Sequence, residues 1–315
     1  MLGARYLAVP ALLAALLIVP PGAIKAERGL VHEENSLYQY IGVVQRPDGR
    51  RVLRLNEGVA IHSVWWPDSV LTGGEWDTYL ALPPLLGRPL ARVAILGNAG
   101  GTTARALGVY YPDAEIDGVE LDPAVSRVGR EYFGLGDNPR LTVHDADARP
   151  FLRATDTRYD LIVVDAYRQP YVPFYLATRE FFRLVRKHLA PGGIVALNVA
   201  AVPDDHRLVE AVSGTLATEL PEVLTWPVLR FNTIVLGFDQ PLGAAELRRR
   251  LATGPHALEP LRALLARDAR PVAPASRPWT DDRAPVEWLT DRMIVEYAAE
   301  GGQLDEDYLP TRPHP

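Results

Sequence analysis

The stretch Arg92-Val-Ala-Ile-Leu-Gly-Asn-Ala-Gly-Gly-Thr-Thr-Ala-Arg-Ala-Leu107 decides the fold. Residues 93–96 are an apolar run that reads as a buried parallel strand. Gly97, Gly100 and Gly101 then make a turn, and residues 102–110 have the composition of a helix. Glycines let a ligand approach the backbone, and the start of a helix presents unpaired N–H groups and positive charge. The next strand, residues 115–119, ends in Glu120, 23 residues beyond Gly97. An acid at that distance is placed to accept both hydroxyls of a ribose. Turn and acid together predict a nucleoside-binding α/β domain.

The rhythm continues on either side. Strands fit residues 92–96, 115–120, 141–144, 159–165 and 194–199. Helices fit 101–110, 123–133, 147–154 and 178–189. Strict alternation means parallel strands with right-handed crossovers. Two β-rich runs, residues 223–230 and 232–238, follow almost without a gap and predict a closing antiparallel hairpin. The expected fold is α/β. It is a doubly wound, mostly parallel seven-stranded sheet of the S-adenosylmethionine-dependent methyltransferase type, preceded by a small antiparallel β domain. The domain reading is 1–30 hydrophobic segment, 31–74 small β domain, 75–300 Rossmann-like adenosyl-binding domain and 301–315 tail. Residues 75–86 read as a helix leading into the main domain. Residues 254–278, rich in Pro, Ala and Arg, read as a surface excursion.

The 315 residues are 48% hydrophobic with a net charge of −6, a balance that favours no nucleic acid partner. There is no cysteine, which excludes thiolate metal sites and a Cys nucleophile, and the histidines show no metal spacing. From Tyr6 to Ile24 run 19 uncharged residues, long enough to cross a bilayer as a helix. Residues 23–26 make a poor cleavage site. A single membrane anchor is expected, with a cleaved signal peptide or a buried helix as the alternatives, and with the active domain on the cytoplasmic side.

Carboxylates gather where strands end. Glu120 closes the second strand, Asp145 and Asp147 follow the third, and Asp165 closes the fourth in Tyr159-Asp-Leu-Ile-Val-Val-Asp165. Carboxyl ends of parallel strands converge on the crevice of such sheets. Asp147 is placed to meet an adenine amino group, with Asp145 the alternative. Asp147 also suits a helix N-cap, and one residue can do both.

With Val119-Glu-Leu-Asp122, Asp147-Ala148, the Asp165 run and Leu189-Ala-Pro-Gly-Gly193 in place, the chain resembles the spermidine synthase (polyamine aminopropyltransferase) family over residues 36–300. Leu55-Asn-Glu-Gly58, Ser69-Val-Leu-Thr-Gly-Gly74 and Trp279-Thr-Asp-Asp-Arg-Ala-Pro-Val-Glu287 are similar to a branch attached to membrane segments. The resemblance implies transfer of an aminopropyl group from decarboxylated S-adenosylmethionine to an amine such as putrescine, without a metal. It makes Asp165 the base, Glu120 the ribose contact and Asp147 with Ala148 the adenine contact. It places Gly97, Gly100 and Gly101 along the adenosyl group. A homodimer is common in the family.

The departures from the family pattern are specific. An Asp that holds the aminopropyl ammonium is implied at the position of Gly100. Asp-Ser-Ser-Asp is implied where this chain has Asp165-Ala-Tyr-Arg168, and a Tyr-His pair where it has Trp76-Asp77. On one reading Asp77 replaces a lost carboxylate, while Trp76, Tyr167, Tyr171 and Tyr175 offer aromatic faces to an ammonium. On another, Arg168 binds a carboxylate of intact S-adenosylmethionine, and the chemistry becomes methyl transfer. A third reading is a nucleoside-binding protein without turnover. Thr280-Asp-Asp282 and Glu287 read as a helix cap and a domain-closing ion pair.

Overall fold

The computed structural model describes residues 24–25, 27–56, 60–168 and 171–303. Strands β1 (Leu30–Asn35), β2 (Tyr40–Gln45), β3 (Arg51–Leu55) and β4 (Ile61–Trp65) form an antiparallel sheet in the order β1-β2-β3-β4. β1 opens the small β domain expected at residues 31–74. Its Leu-Val-His-Glu-Glu-Asn sequence carries little alternation, because an edge strand buries little of itself.

The main sheet holds β5 (Arg92–Leu96), β6 (Glu115–Glu120), β7 (Leu141–Asp145), β8 (Tyr159–Val164), β9 (Leu189–Ala200), β10 (Glu222–Leu229), β11 (Asn232–Phe238) and the two-residue β12 (Arg270–Pro271). Their order is β12-β10-β11-β9-β8-β5-β6-β7. β7, β6, β5, β8 and β9 are parallel, and β11 and β10 are antiparallel. These are the seven expected strands, with β12 an added edge.

Both faces of this sheet are covered, so its central strands read as unbroken apolar runs. One face packs Ile162, Val164 and Val195 against Phe181, Phe182, Val212 and Met293. The other packs Ile95, Leu161 and Val163 against Tyr79, Leu80, Leu107 and Leu265. The chain runs outward from β5 through β6 to β7, then returns to β8 beside β5. The sheet therefore reverses direction between β5 and β8, and a crevice opens above that point.

Three expectations are corrected. Residues 75–86 are two 3-10 turns, Glu75–Ala81 and Pro83–Leu86, instead of one helix. Pro83 and Pro84 supply no N–H and obstruct the preceding turn. Residues 254–278 are not a surface excursion throughout, because they contain a helix, Glu259–Asp268, whose Leu265 is 0% exposed. The Pro and Arg content masked a helical spacing of Leu258, Leu261 and Leu265. The membrane anchor expected from the uncharged run Tyr6 to Ile24 is not upheld. Among the described residues no helix is long and apolar enough to cross a membrane, and residues 1–23 and the tail at 304–315 lie outside them.

Candidate active site

The crevice is built from the glycine turn outward. Gly97 has φ 93°, and a Cβ there would stand 2.4 Å from the carbonyl oxygen of Asp165. The turn and the end of β8 therefore touch backbone to backbone, which requires glycine. The N–H groups of Gly97 and Asn98 both donate to the Val119 carbonyl, at 2.9 and 3.0 Å. The Asp165 N–H donates to the Leu96 carbonyl at 2.8 Å. Gly101, at φ 87°, caps the helix Thr102–Tyr110 with its Cα hydrogen against Leu135.

Glu120 closes the other side of the turn. Its Oε2 accepts from the Ala99 N–H at 2.9 Å and its Oε1 from the Asp122 N–H at 3.1 Å. Each oxygen keeps a second lone pair, which is what a pair of hydroxyl donors requires. Burial outweighs these bonds and pushes the carboxyl up to about 6.

Gly100 does not face the carboxylates. Its N–H donates to Ser63 Oγ at 2.8 Å, and a Cβ would meet Ser63 Oγ at 2.9 Å and the Phe133 ring at 3.2 Å. The missing side chain is directed at the small sheet, so an acid at this position has no room and would not reach the crevice.

Asp165 ends β8 at the reversal point. Its Oδ1 accepts from Asn198 Nδ2 at 3.0 Å, and Asn198 Oδ1 in turn accepts from Asn232 Nδ2 at 3.0 Å. Burial pushes Asp165 up to about 6 against the lowering effect of Asn198. Tyr167 walls the site. Its hydroxyl donates to the Asn198 carbonyl and accepts from the Ala200 N–H, both at 2.9 Å. Arg168 is exposed, is bridged through its backbone to Tyr171, and makes no ion pair among the described residues.

Asp147 caps the helix Ala148–Ala154, its Oδ1 accepting from the Arg149 N–H at 3.0 Å. Its Oδ2 accepts from the Tyr175 hydroxyl at 3.0 Å, and Ala148 is buried beside it. Asp145 is turned to Ser126 Oγ, 2.7 Å away. Arg149 is forked onto Asp281 at 2.9 and 2.6 Å, and Thr178 Oγ1 donates to the same carboxylate at 2.7 Å. The acid of the Trp279 motif thus ties the segment after β8 to the end of β7.

Trp76 and Asp77 are placed elsewhere than a substrate contact requires. Trp76 packs with Val44, Val52, Val64 and Trp66 beneath the small sheet. Asp77 accepts from the N–H groups of Thr72 and Gly73 and from the Thr72 hydroxyl, at 2.7 to 3.0 Å. It is buried as the anchor of that turn, and burial raises it to about 6.

Glu75, which the sequence reading passed over as the start of a helix, lies within reach of the charge of Asp165. Burial, then the charge of Asp165, pushes it up to about 8. Four residues on, the Tyr79 hydroxyl is buried and has no hydrogen-bond partner among the described residues. Burial and the charges of Asp165, Glu75 and Tyr167 hold it well above the usual phenol range. An acid just after Gly73-Gly74 is a faint signal, and Asn198 inside an apolar strand is a clearer one, since a buried amide needs partners.

Glycine turn, ribose-type acid, capped Asp147 and an acid pair thus ring the carboxyl ends of β5 to β8. Residues 79–225 match the family model of the spermine/spermidine synthase domain. Over that region the chain is similar to the spermine/spermidine synthase family. A probable polyamine aminopropyl transferase of Bifidobacterium longum is 39% identical to the chain over 194 residues, 61% of this chain and 42% of that protein. A polyamine aminopropyltransferase of Vibrio vulnificus is 31% identical over 175 residues, 54% of this chain and 58% of its own length. The chain thus spans about half the length of these curated relatives. The crystal structure of a probable spermidine synthase from Corynebacterium glutamicum shares the fold, with a TM-score of 0.60 at 22% identity, over 92% of this chain and 100% of that one. The matched region contains every strand of the parallel core, whereas Glu75 lies four residues before it.

Proposed function

We propose that the chain transfers the aminopropyl group of decarboxylated S-adenosylmethionine to a primary amine such as putrescine, with Asp165 as the base. The observation that carries this reading is Asp165 itself, a carboxyl raised to about 6 at the point where the sheet reverses, oriented by Asn198 and backed by a second acid. An alkylammonium near pKa ~10 must lose a proton before its nitrogen can attack. Raising the acceptor carboxylate narrows that gap. The proton passes to Asp165, and the freed lone pair attacks the methylene carbon beside the sulfonium. The carbon–sulfur bond breaks with its electrons going to sulfur, and methylthioadenosine leaves. Glu120 would accept the ribose hydroxyls, and Asp147 beside Ala148 the adenine amino group, where the Tyr175 hydroxyl now donates. The backbone of Gly97 to Gly101 would line the adenosyl group.

Methyl transfer is not favoured: Arg168, the residue that reading relied on, is exposed and makes no ion pair among the described residues. The test incubates the purified protein with decarboxylated S-adenosylmethionine and putrescine, and separately with S-adenosylmethionine. Methylthioadenosine is expected from the first mixture and no S-adenosylhomocysteine from the second. Asp165→Asn is expected to lower kcat by ~10²–10⁴, the usual worth of a positioned base. Turnover within a few-fold of the parent would remove Asp165 from the role.

A further inference from the structure

The end of the main sheet opposite the crevice carries a cavity of its own. Its volume is about 320 Å³, and Arg158, Arg183, Arg186 and Lys187 line it together with one acid, Asp239. Arg158 immediately precedes β8, and the other three cations lie on the helix Arg179–His188 that leads into β9. β8 and β9 are parallel, and Asp165 follows the far end of β8, so the cavity and the crevice sit at opposite ends of the strands. The volume falls within the roughly 300–1,000 Å³ of small-molecule sites. The lining repels itself. The chain has a net charge of −6, yet here it gathers an excess of three positive charges. Arg183 stands three residues from Arg186 and four from Lys187, the spacings at which like charges on a helix repel. The helix macrodipole accounts for Arg186 and Lys187, which lie in the last turn. It does not account for Arg158, which joins them from another element.

Partners inside the protein use only part of this donor set. Arg183 donates to the Glu219 carboxylate at 3.1 Å, and Arg186 gives one N–H to the Glu219 carbonyl at 2.7 Å. Asp239 accepts from the Gly192 N–H at 3.1 Å, which holds its carboxylate on the backbone of β9. The side chains of Arg158 and Lys187 make no hydrogen bond or ion pair among the described residues. A guanidinium presents its donors as a planar fork that matches phosphate oxygens, and an ammonium adds a point charge. A single phosphate group brings about two negative charges, fewer than the excess in the lining, whereas a chain of two or three phosphates matches it. The apolar part of the lining is Leu189, which is 2% exposed, and Pro191, too little to stack a nucleobase. We propose that this cavity is an oligophosphate site, in which Arg158 and Arg186 grip the phosphate oxygens while Arg183 and Lys187 neutralise the chain.

The site is independent of the transfer reaction, because its binding is read without turnover. Calorimetric titration of the full chain with inorganic triphosphate, at low and at moderate salt, measures it. Saturable binding at one site per chain is expected, with affinity falling as salt rises. Arg158→Ala and Lys187→Ala are each expected to weaken binding about tenfold to a hundredfold, as loss of a hydrogen bond to a charged group does. Arg158→Lys, which keeps the charge and loses the fork, is expected to recover only part of that loss. Arg140→Ala removes an exposed cation beside β7, at the far edge of the sheet, and is expected to leave the affinity as it was. Inorganic phosphate is expected to bind more weakly than triphosphate. Cytidine triphosphate separates two sources of the same chemistry: affinity equal to or above that of triphosphate assigns a nucleotide, and lower affinity a free polyphosphate. Thermal denaturation checks that each variant is folded. The site is overturned by absence of saturable binding, by equal losses in Arg140→Ala and Arg158→Ala, or by phosphate binding as tightly as triphosphate. Single-stranded RNA that displaces triphosphate and binds more tightly would also overturn it, in favour of a nucleic-acid surface.

Discussion

A single missing methyl group holds the crevice together at Gly97. Its left-handed backbone and its approach to the Asp165 carbonyl leave no space for Cβ, and the atom that would have to give way is main chain. Gly97→Ala is therefore expected to destabilise the protein by about 2 kcal/mol or more, through strain and clash together. It should also cost activity beyond that, because the displaced backbone carries the base. Urea denaturation beside a methylthioadenosine assay checks both, and an unchanged midpoint would mean the contact is slack. Ser63 offers a companion case. Ser63→Ala leaves the Gly100 N–H buried without an acceptor, at a cost of about 1–3 kcal/mol. Glu120, Asp147 and Asp165 could be read from the sequence because position along a strand fixes where a carboxylate goes. Glu75 could not, because its neighbourhood is created by packing between residues 90 apart in the chain. Trp76 and Asp77 failed as site residues for the same reason: they adjoin the site in sequence, but their side chains turn into the core and into a turn.

At the scale of elements, strand boundaries were readable because both faces of the sheet are covered. Buried parallel strands such as β8 are apolar throughout and end where polarity returns. The 3-10 turns Glu75–Ala81 and Pro83–Leu86 were not readable, since their apolar run suits a helix until the prolines are weighed. The helix Glu259–Asp268 was hidden by its composition. Its packing has a measurable consequence, for Leu265→Ala should cost about 2–5 kcal/mol, the range for truncating a fully buried leucine. A loss under half a kcal/mol, the range of an exposed loop, would restore the surface reading. Asp281 makes a second element-level case. The charge of Arg149, hydrogen-bonded to it, holds its carboxyl below the usual range. The stability it provides is present above its ordinary pKa and is lost as pH falls through the lowered folded value. Asp281→Asn should remove that acid-side loss from a pH series of thermal midpoints.

For the molecule as a whole, the buried acids set the response to pH. Glu75 is raised to about 8, and Asp77, Glu120 and Asp165 to about 6, in each case chiefly by burial. A carboxyl whose folded pKa lies above its unfolded value binds more protons when folded. Its contribution therefore declines as pH rises from the unfolded value, near 4 for these acids, to the folded one. The unliganded protein should lose stability steadily between about pH 4 and 8 on this account. Glu75→Gln should flatten the upper half of that fall. Unfolding free energies from urea titrations across this range decide the matter, and a rise in stability toward pH 8 would contradict it.

The small sheet has a role in the crevice that its own sequence gives no hint of. Ser63 holds the Gly100 N–H, and the Thr102 hydroxyl is locked between the Val64 N–H and carbonyl at 2.9 and 3.1 Å. These bonds brace the glycine turn from outside, as a lintel is braced by the wall above it. A piece cut at residue 79, where the matched region begins, would keep every strand of the parallel core and still lose the brace, the acid at residue 75 and the packing of Trp76 under the small sheet. The stretch matched to the family therefore stops short of the contacts that hold its glycine turn.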